Sequence, residues 1–375
     1  MRVAVIGGAG FIGSHLVDAL VSQGCQVRVV DNLEAQVHPT GRLPEYLNRQ
    51  AEFVQQDVRD AEGLRQALAG VEFVFHVAGA VGVGDSMYRV RHYADVNVVG
   101  GASLLEALAA QKHTVRKVVV ASTVTVYGEG KYSCPQHGVV SPLGRSAEQV
   151  RNRQWEPECP RANGSTRCTQ ELTPLATDEE THPMPLSVYA MTKRVLEEMF
   201  LGVGRSYGIP VTVLRYFNVY GSRQAPSNPY TGVVKIFASE IAAGRTPLIY
   251  EDGLQTRDLV HVSDIVQANL LAMKPEANGE IFNVGTGRPT TVLSMAEAIA
   301  HMLGRQIKSV PSLQCRAGDV RHCWANIEKI QKKLGFEPKV VFPAHLEDVV
   351  SAARADCESL IAEAHSELAN RGLIS

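Results

Sequence analysis

An apolar run, Val3 to Ile6, breaks into Gly7-Gly8-Ala9-Gly10-Phe11-Ile12-Gly13, and this transition constrains the fold more than any other feature of the chain. Glycines three apart let a strand turn sharply, expose bare backbone and bring the following helix close to the sheet. The first turn of that helix carries unpaired N–H groups and a partial positive charge, which together cradle a pyrophosphate. A glycine-rich turn by itself also serves purely steric ends. Here a second apolar strand, Val27 to Val30, ends on Asp31, where a carboxylate accepts hydrogen bonds from an adenosine ribose. These residues predict a bound dinucleotide, NAD rather than NADP. No arginine directly follows Asp31 to receive a 2′-phosphate, and Arg28 is the basic residue that comes nearest.

Strand and helix patterns then alternate: Phe53 to Gln56, Ala61 to Ala69, Phe73 to His76, Val96 to Ala110 and Lys117 to Ala121. Such alternation predicts parallel strands joined by right-handed helical crossovers with helices on both faces, an α/β, Rossmann-type doubly wound sheet. All strands then end on one edge. Gly7, Asp31, Asp57, Ala78 with Gly79, and Thr123 should line a single crevice, where ligands of such sheets bind. The candidate cofactor contacts are Gly7, Gly10, Phe11, Ile12, Asp31, Asn32, Asp57, Val58, Val77, Ala78 and Gly79. Any one of them has a bland alternative, Asp57 as a turn former for instance; the set is harder to dismiss.

At 375 residues and 45% apolar content the chain exceeds one compact domain and predicts two lobes. The reading places an NAD-binding unit over 1–130 and 184–220 and a Cys- and Pro-rich insert at 131–183. A smaller C-terminal α/β substrate lobe spans 221–345, interleaved with the last sheet strands, and a helical tail follows at 346–375. No run approaches the ~20 apolar residues of a membrane span, and 37 basic against 39 acidic residues predict neither a nucleic-acid nor a membrane partner. Glycines and His15 interrupt the N-terminal apolar patch, unlike a secretion signal. Seven scattered cysteines fit a reducing cytoplasm better than a disulfide framework.

Tyr189 and Lys193 stand four apart at the start of a helix predicted from Ser187 to Tyr207, so their side chains share a face. A free tyrosine, pKa about 10, is a poor base at neutral pH, and a nearby ammonium is expected to lower that value. With Thr123 at the fifth strand end, the pair predicts a proton-transfer triad acting on a sugar hydroxyl. The bland alternative is a surface tyrosine beside a lysine.

At this point the chain resembles the extended short-chain dehydrogenase/reductases, in particular their NAD-dependent nucleotide-sugar epimerase/dehydratase branch. The resemblance rests on GGAGFIGSH at 7–15, DVRD at 57–60, HVAGA at 76–80, ASTVTVYG at 121–128 and YAMTK at 189–193. LRYFNVYGSRQ at 214–224, QTRDLVHVSD at 255–264, NVGTG at 283–287 and GDVRHCWAN at 318–326 extend it. It implies that Tyr189 is the acid/base, that Lys193 binds the nicotinamide ribose and that Thr123 assists. It also implies that Asn218, Arg257 and Arg321 contact the sugar or diphosphate of a nucleotide-sugar substrate, and that the protein is a homodimer formed through two helices per subunit. Sugar 4,6-dehydratases of this branch carry Asp-Glu after the threonine, and decarboxylases a glutamate; Val124 and Thr125 stand there instead. What remains is NAD-dependent 4-epimerisation through a transient 4-keto sugar, or simple 4-reduction. QVHPTG at 36–41, AVGVGDSMY at 80–88 and QAPSNPYTGVVKIF at 224–237 are similar to one subgroup, the dTDP-L-rhamnose 4-epimerases. UDP-glucose or UDP-hexuronate 4-epimerases are the rivals, and a non-catalytic NAD-binding sensor is the alternative from another class.

The insert, rich in Pro, Gly, Arg and Cys, shows little periodicity and reads as an unusually long irregular stretch. Within it Cys134-Pro135-Gln136-His137-Gly138 looks like a zinc knuckle, and Cys159 and Cys168 would complete four ligands. The nine-residue step between those two thiols is wider than in a zinc ribbon, so no metal is assigned from sequence. Cys25, Cys315, Cys323 and Cys357 are read as small apolar residues.

Overall fold

The computed structural model describes residues 1–110, 114–163, 166–225, 232–307, 311–316, 318–351 and 358–374. Cys357 and part of the 224–237 motif lie outside them. Seven parallel strands form the central sheet: β1 (Arg2–Ile6), β2 (Gln26–Asp31), β3 (Glu52–Gln55), β4 (Phe73–His76), β5 (Lys117–Thr123), β6 (Val211–Tyr216) and β7 (Ile281–Val284). Their order is β7-β6-β5-β4-β1-β2-β3, and every pairing is parallel.

The strands read as unbroken apolar runs because both faces are buried. Val3 and Val5 point to one side, with Leu16, Val17 and Leu20 of helix α1 (Phe11–Ser22). Ala4 and Ile6 point to the other. They meet Leu64 of α2 (Ala61–Ala67), Leu104 and Leu108 of α3 (Gly100–Ala109), and Leu196 and Phe200 of α4 (Val188–Tyr207). The segment predicted as one helix over 96–110 enters through a π-helical stretch, Ala94–Val99, before α3.

A second core gathers Phe237 and Ile241 from the helix Val233–Ala242 with Met295 and Ile299 from the helix Val292–Met302. A strand, Thr256–His261, is followed directly by a helix, Val262–Leu271. In the tail, helices span Leu346–Ser351 and Glu358–Asn370. No described helix is long and apolar enough to cross a membrane.

The 131–183 segment corrects the expectation of an irregular stretch. It holds a three-stranded antiparallel sheet of Thr173–Leu175, Lys131–Cys134 and Gly138–Val140. It also holds a short helix, Ala147–Arg151, capped by Ser146, and a two-stranded hairpin, Ala162–Asn163 with Thr166–Arg167. Strands of two to four residues leave no readable periodicity.

Candidate active site

The C-terminal ends of the strands open on a cavity of about 400 Å³ lined by Gly7, Gly10, Phe11, Ile12, Asp31, Asn32, Asp57, Val58, Val77, Ala78, Gly79, Thr123, Tyr189, Lys193 and Asn218. Every residue predicted to hold cofactor is therefore brought to one place. The glycine turn is fixed sterically. Gly7 has φ +84°, and a Cβ there would sit 2.6 Å from the Ala78 backbone; one at Gly13 would sit 2.1 Å from the Gly7 carbonyl oxygen. At Gly10 a Cβ would meet only the Gly7 oxygen, at 3.5 Å, so the crevice side is open backbone. The N-terminus of α1 has no side-chain cap and no acidic residue in its first turn, leaving its N–H groups to a phosphate.

Asp31 accepts from the backbone N–H groups of Ala9 at 3.0 Å and Leu33 at 2.9 Å. Each oxygen retains a lone pair for a ribose hydroxyl, and its charge opposes a 2′-phosphate. Arg28 does not compensate. Its guanidinium is held by Glu52 at 2.9 Å and by the Ala67 and Ala69 carbonyls at 2.6 and 3.3 Å. The open backbone, the uncapped helix and the unphosphorylated-ribose site fit NAD.

Ser187 caps α4 by accepting the Ala190 N–H, and the helix then carries Tyr189 and Lys193 inward, both buried. Burial pushes the Tyr189 phenol up to about 12, against a hydrogen bond from the Thr123 hydroxyl. Burial also pushes the Lys193 amine down to about 8, opposed by Glu197. The lowering of the tyrosine expected from sequence is thus reversed, because desolvation of the phenolate outweighs what favours it. The Thr123 oxygen accepts the Thr125 N–H at 3.2 Å as the cap of a 3₁₀ turn, which fixes its rotamer.

Several supporting residues were missed in the sequence. Glu197 is buried and receives Arg215 as a fork at 2.9 and 2.6 Å and the Ser122 hydroxyl at 2.5 Å. The four-residue spacing Tyr189, Lys193, Glu197 carried the signal for it. Asn97 clamps the chain at Ala80, accepting its N–H at 2.8 Å and donating to its carbonyl at 3.1 Å; nothing local marks it. Gln224 lines the cavity. Among the described residues its Oε1, like Asn218 Oδ1, is buried with no hydrogen-bond partner.

The two arginines stand apart from the other predicted site residues. Neither Arg257 nor Arg321 lines the cavity. Arg321 is buried, and its donors reach Glu156 at 2.8 Å, Glu251 at 3.0 Å and Asp252 at 2.6 and 2.9 Å. Arg257 is engaged by Asp319 at 2.7 Å and by the Thr256, Val320 and Arg321 carbonyls. Arg321 is thus paired with three carboxylates, and Arg257 with one carboxylate and three backbone carbonyls. Lys193 is the only Lys or Arg among the described lining residues.

Known proteins agree with this geometry. Residues 3–147 and 164–285 match the NAD dependent epimerase/dehydratase family. A dTDP-L-rhamnose 4-epimerase from Burkholderia thailandensis is 33% identical over 342 residues, 90% of this chain and 91% of that protein. Among solved structures, a UDP-glucose 4-epimerase from Thermotoga maritima with UDP-glucose has a TM-score of 0.75 at 34% identity, covering 96% of this chain and all of that one. A UDP-glucose 4-epimerase from Thermus thermophilus in complex with NAD has a TM-score of 0.72 at 31% identity, with 94% and 98% covered. This chain belongs to the NAD dependent epimerase/dehydratase family, as an NAD-dependent isomerase of the nucleotide-sugar 4-epimerase type.

Proposed function

We propose that the substrate is a dTDP-6-deoxyhexose such as dTDP-L-rhamnose, inverted at C4 through a transient 4-keto sugar. The observation that carries the chemistry is the convergence of Thr123, Tyr189 and Lys193 in one cavity with no acidic residue after Thr123. Elimination of water needs an additional acid and base at the sugar; Val124 and Thr125 supply neither. The thymidine-linked substrate is supported by the Burkholderia relative and by the sequence segments similar to that subgroup.

NAD, when bound, would supply a hydride acceptor and donor for C4, with no net redox change. The chain's own groups handle the proton. Tyr189 takes it from the C4 hydroxyl and returns it to the same oxygen after the sugar has turned over, while the Thr123 hydroxyl hydrogen-bonds that oxygen. The Lys193 ammonium holds the nicotinamide ribose and supplies the positive charge that favours the phenolate. Asn218 and Gln224, which line the same cavity, would contact the turning sugar. Incubation with dTDP-L-rhamnose, UDP-glucose and UDP-glucuronic acid in parallel, without added NADH, tests this. The C4 epimer forms fastest from dTDP-L-rhamnose. Faster turnover of a UDP sugar overturns the substrate, and dependence on added NADH makes the protein a reductase.

A cytoplasmic homodimer belongs to this reading. Met191 and Val195, one turn apart on α4, are 48% and 40% exposed, and Val99, on the π-helical stretch that packs against α4, is 47% exposed; a second subunit would cover these apolar side chains.

A further inference from the structure

Away from the crevice, Cys134, His137, Cys159 and Cys168 of the insert bring their donor atoms within 4.8 Å of one another. Cys134 Sγ lies 3.6 Å from His137 Nδ1 and 3.8 Å from Cys168 Sγ, and Cys159 Sγ lies 3.4 Å from His137 Nδ1. Tetrahedral zinc, with Zn–S of about 2.3 Å and Zn–N of about 2.0 to 2.1 Å, requires edges of about 3.8 Å between sulfurs and about 3.6 Å from sulfur to nitrogen. The three observed edges agree with that figure. A disulfide needs sulfurs about 2.05 Å apart, and these cysteines are free thiols.

Local structure builds the site. Cys134 ends a strand and pairs across the turn with Gly138, which sits at φ +68°. The N–H groups of Gln136 and His137 turn back to the Cys134 sulfur, and the N–H of Arg161 turns to Cys159; N–H groups aimed at sulfur orient a thiolate ligand. The wide step from Cys159 to Cys168 is closed by the hairpin Ala162–Asn163 with Thr166–Arg167 and by the Cys168 N–H donating to the Arg161 carbonyl at 3.2 Å. That closure removes the objection raised by the spacing. Among the described residues the three thiols are buried in one cluster with Tyr132, Val140 and Leu172, a small apolar group for a segment of this length.

We propose that Cys134, His137, Cys159 and Cys168 hold a structural Zn²⁺ ion that orders the insert. All four positions are filled by protein, which leaves no open position for catalysis, and none of the four lines the crevice. Three thiolates and an imidazole in a tetrahedron suit zinc among the divalent metals. The ion fixes the segment that carries Glu156 onto Arg321 and His322 of the second lobe.

Elemental analysis of the full chain, purified without chelators, tests the proposal. Zinc near one per chain is expected, falling to near zero in Cys134→Ser and in Cys159→Ser and unchanged in Cys25→Ser. Because the first two variants can fail to fold, wild-type protein is also exchanged into Co²⁺, where thiolate-to-cobalt charge-transfer bands and tetrahedral d–d bands are expected. Zinc near zero in the wild type, iron in its place, a disulfide among these thiols, or a cobalt spectrum lacking thiolate bands overturns it.

Discussion

Arg215→Met removes the buried cation paired with Glu197, one turn beyond Lys193 on the catalytic helix. Both side chains are 1% exposed, so the variant leaves a buried carboxylate with the Ser122 hydroxyl at 2.5 Å and the partly exposed Arg194 at 3.3 Å. Breaking a buried pair from one side costs about 3 to 5 kcal/mol, whereas removing both charges costs much less. Scaling the unfolding entropy to this chain length, that loss lowers Tm by about 4 to 6 °C. Glu197→Gln should cost a similar amount, and the double variant less than either. Calorimetric melting of the four proteins at matched cofactor loading measures the cycle. Refutation is specific: if the single losses add, with coupling below about 0.5 kcal/mol, the pair is not the buried ionic support described. The cycle has a functional echo as well. Glu197 opposes the burial that depresses Lys193, so Glu197→Gln should move the alkaline limb of cofactor retention to lower pH.

Tyr189→Phe should reduce epimerisation by about 10² to 10⁴ while NAD content, read by mass spectrometry, stays as in wild type; full activity refutes the role. Gly13→Ala, whose Cβ would fall 2.1 Å from the Gly7 oxygen, should yield protein without NAD, and retained stoichiometric NAD contradicts the turn geometry. For Lys193 the folded value of about 8 lies below the unfolded one of about 10.4. The amine therefore costs stability fully below pH 8, and the cost is relieved as pH rises toward the unfolded value. In NAD-free protein, denaturant titrations should show stability rising from pH 8 to 10 relative to Lys193→Met; parallel curves refute it. Val195→Glu should shift light scattering from dimer to monomer, and an unchanged mass overturns that face as the interface.

The nucleotide-binding half was legible because its determinants are local. Gly7 and Gly13 answer to steric demands within a few residues, and Asp31 ends the strand that defines its place. The triad was legible through helix periodicity and one strand end. What the sequence hid was non-local. The forks of Arg257 and Arg321 are filled by Asp319, Glu251, Asp252 and Glu156, acids scattered along the chain that no spacing rule connects. The insert is likewise ordered by closure between distant short strands. Tyr189 shows the same limit, since burial, which sets its direction of shift, is a property of the whole fold.

The central claim is that one carbon of a sugar loses and regains the same hydrogen beside Tyr189. It is tested most directly with dTDP-L-rhamnose carrying deuterium at C4, turned over in ordinary water and read by NMR. A C4 epimer that keeps its deuterium is expected, with none released to solvent. Deuterium exchanged for solvent hydrogen, in an epimer otherwise formed normally, would contradict it.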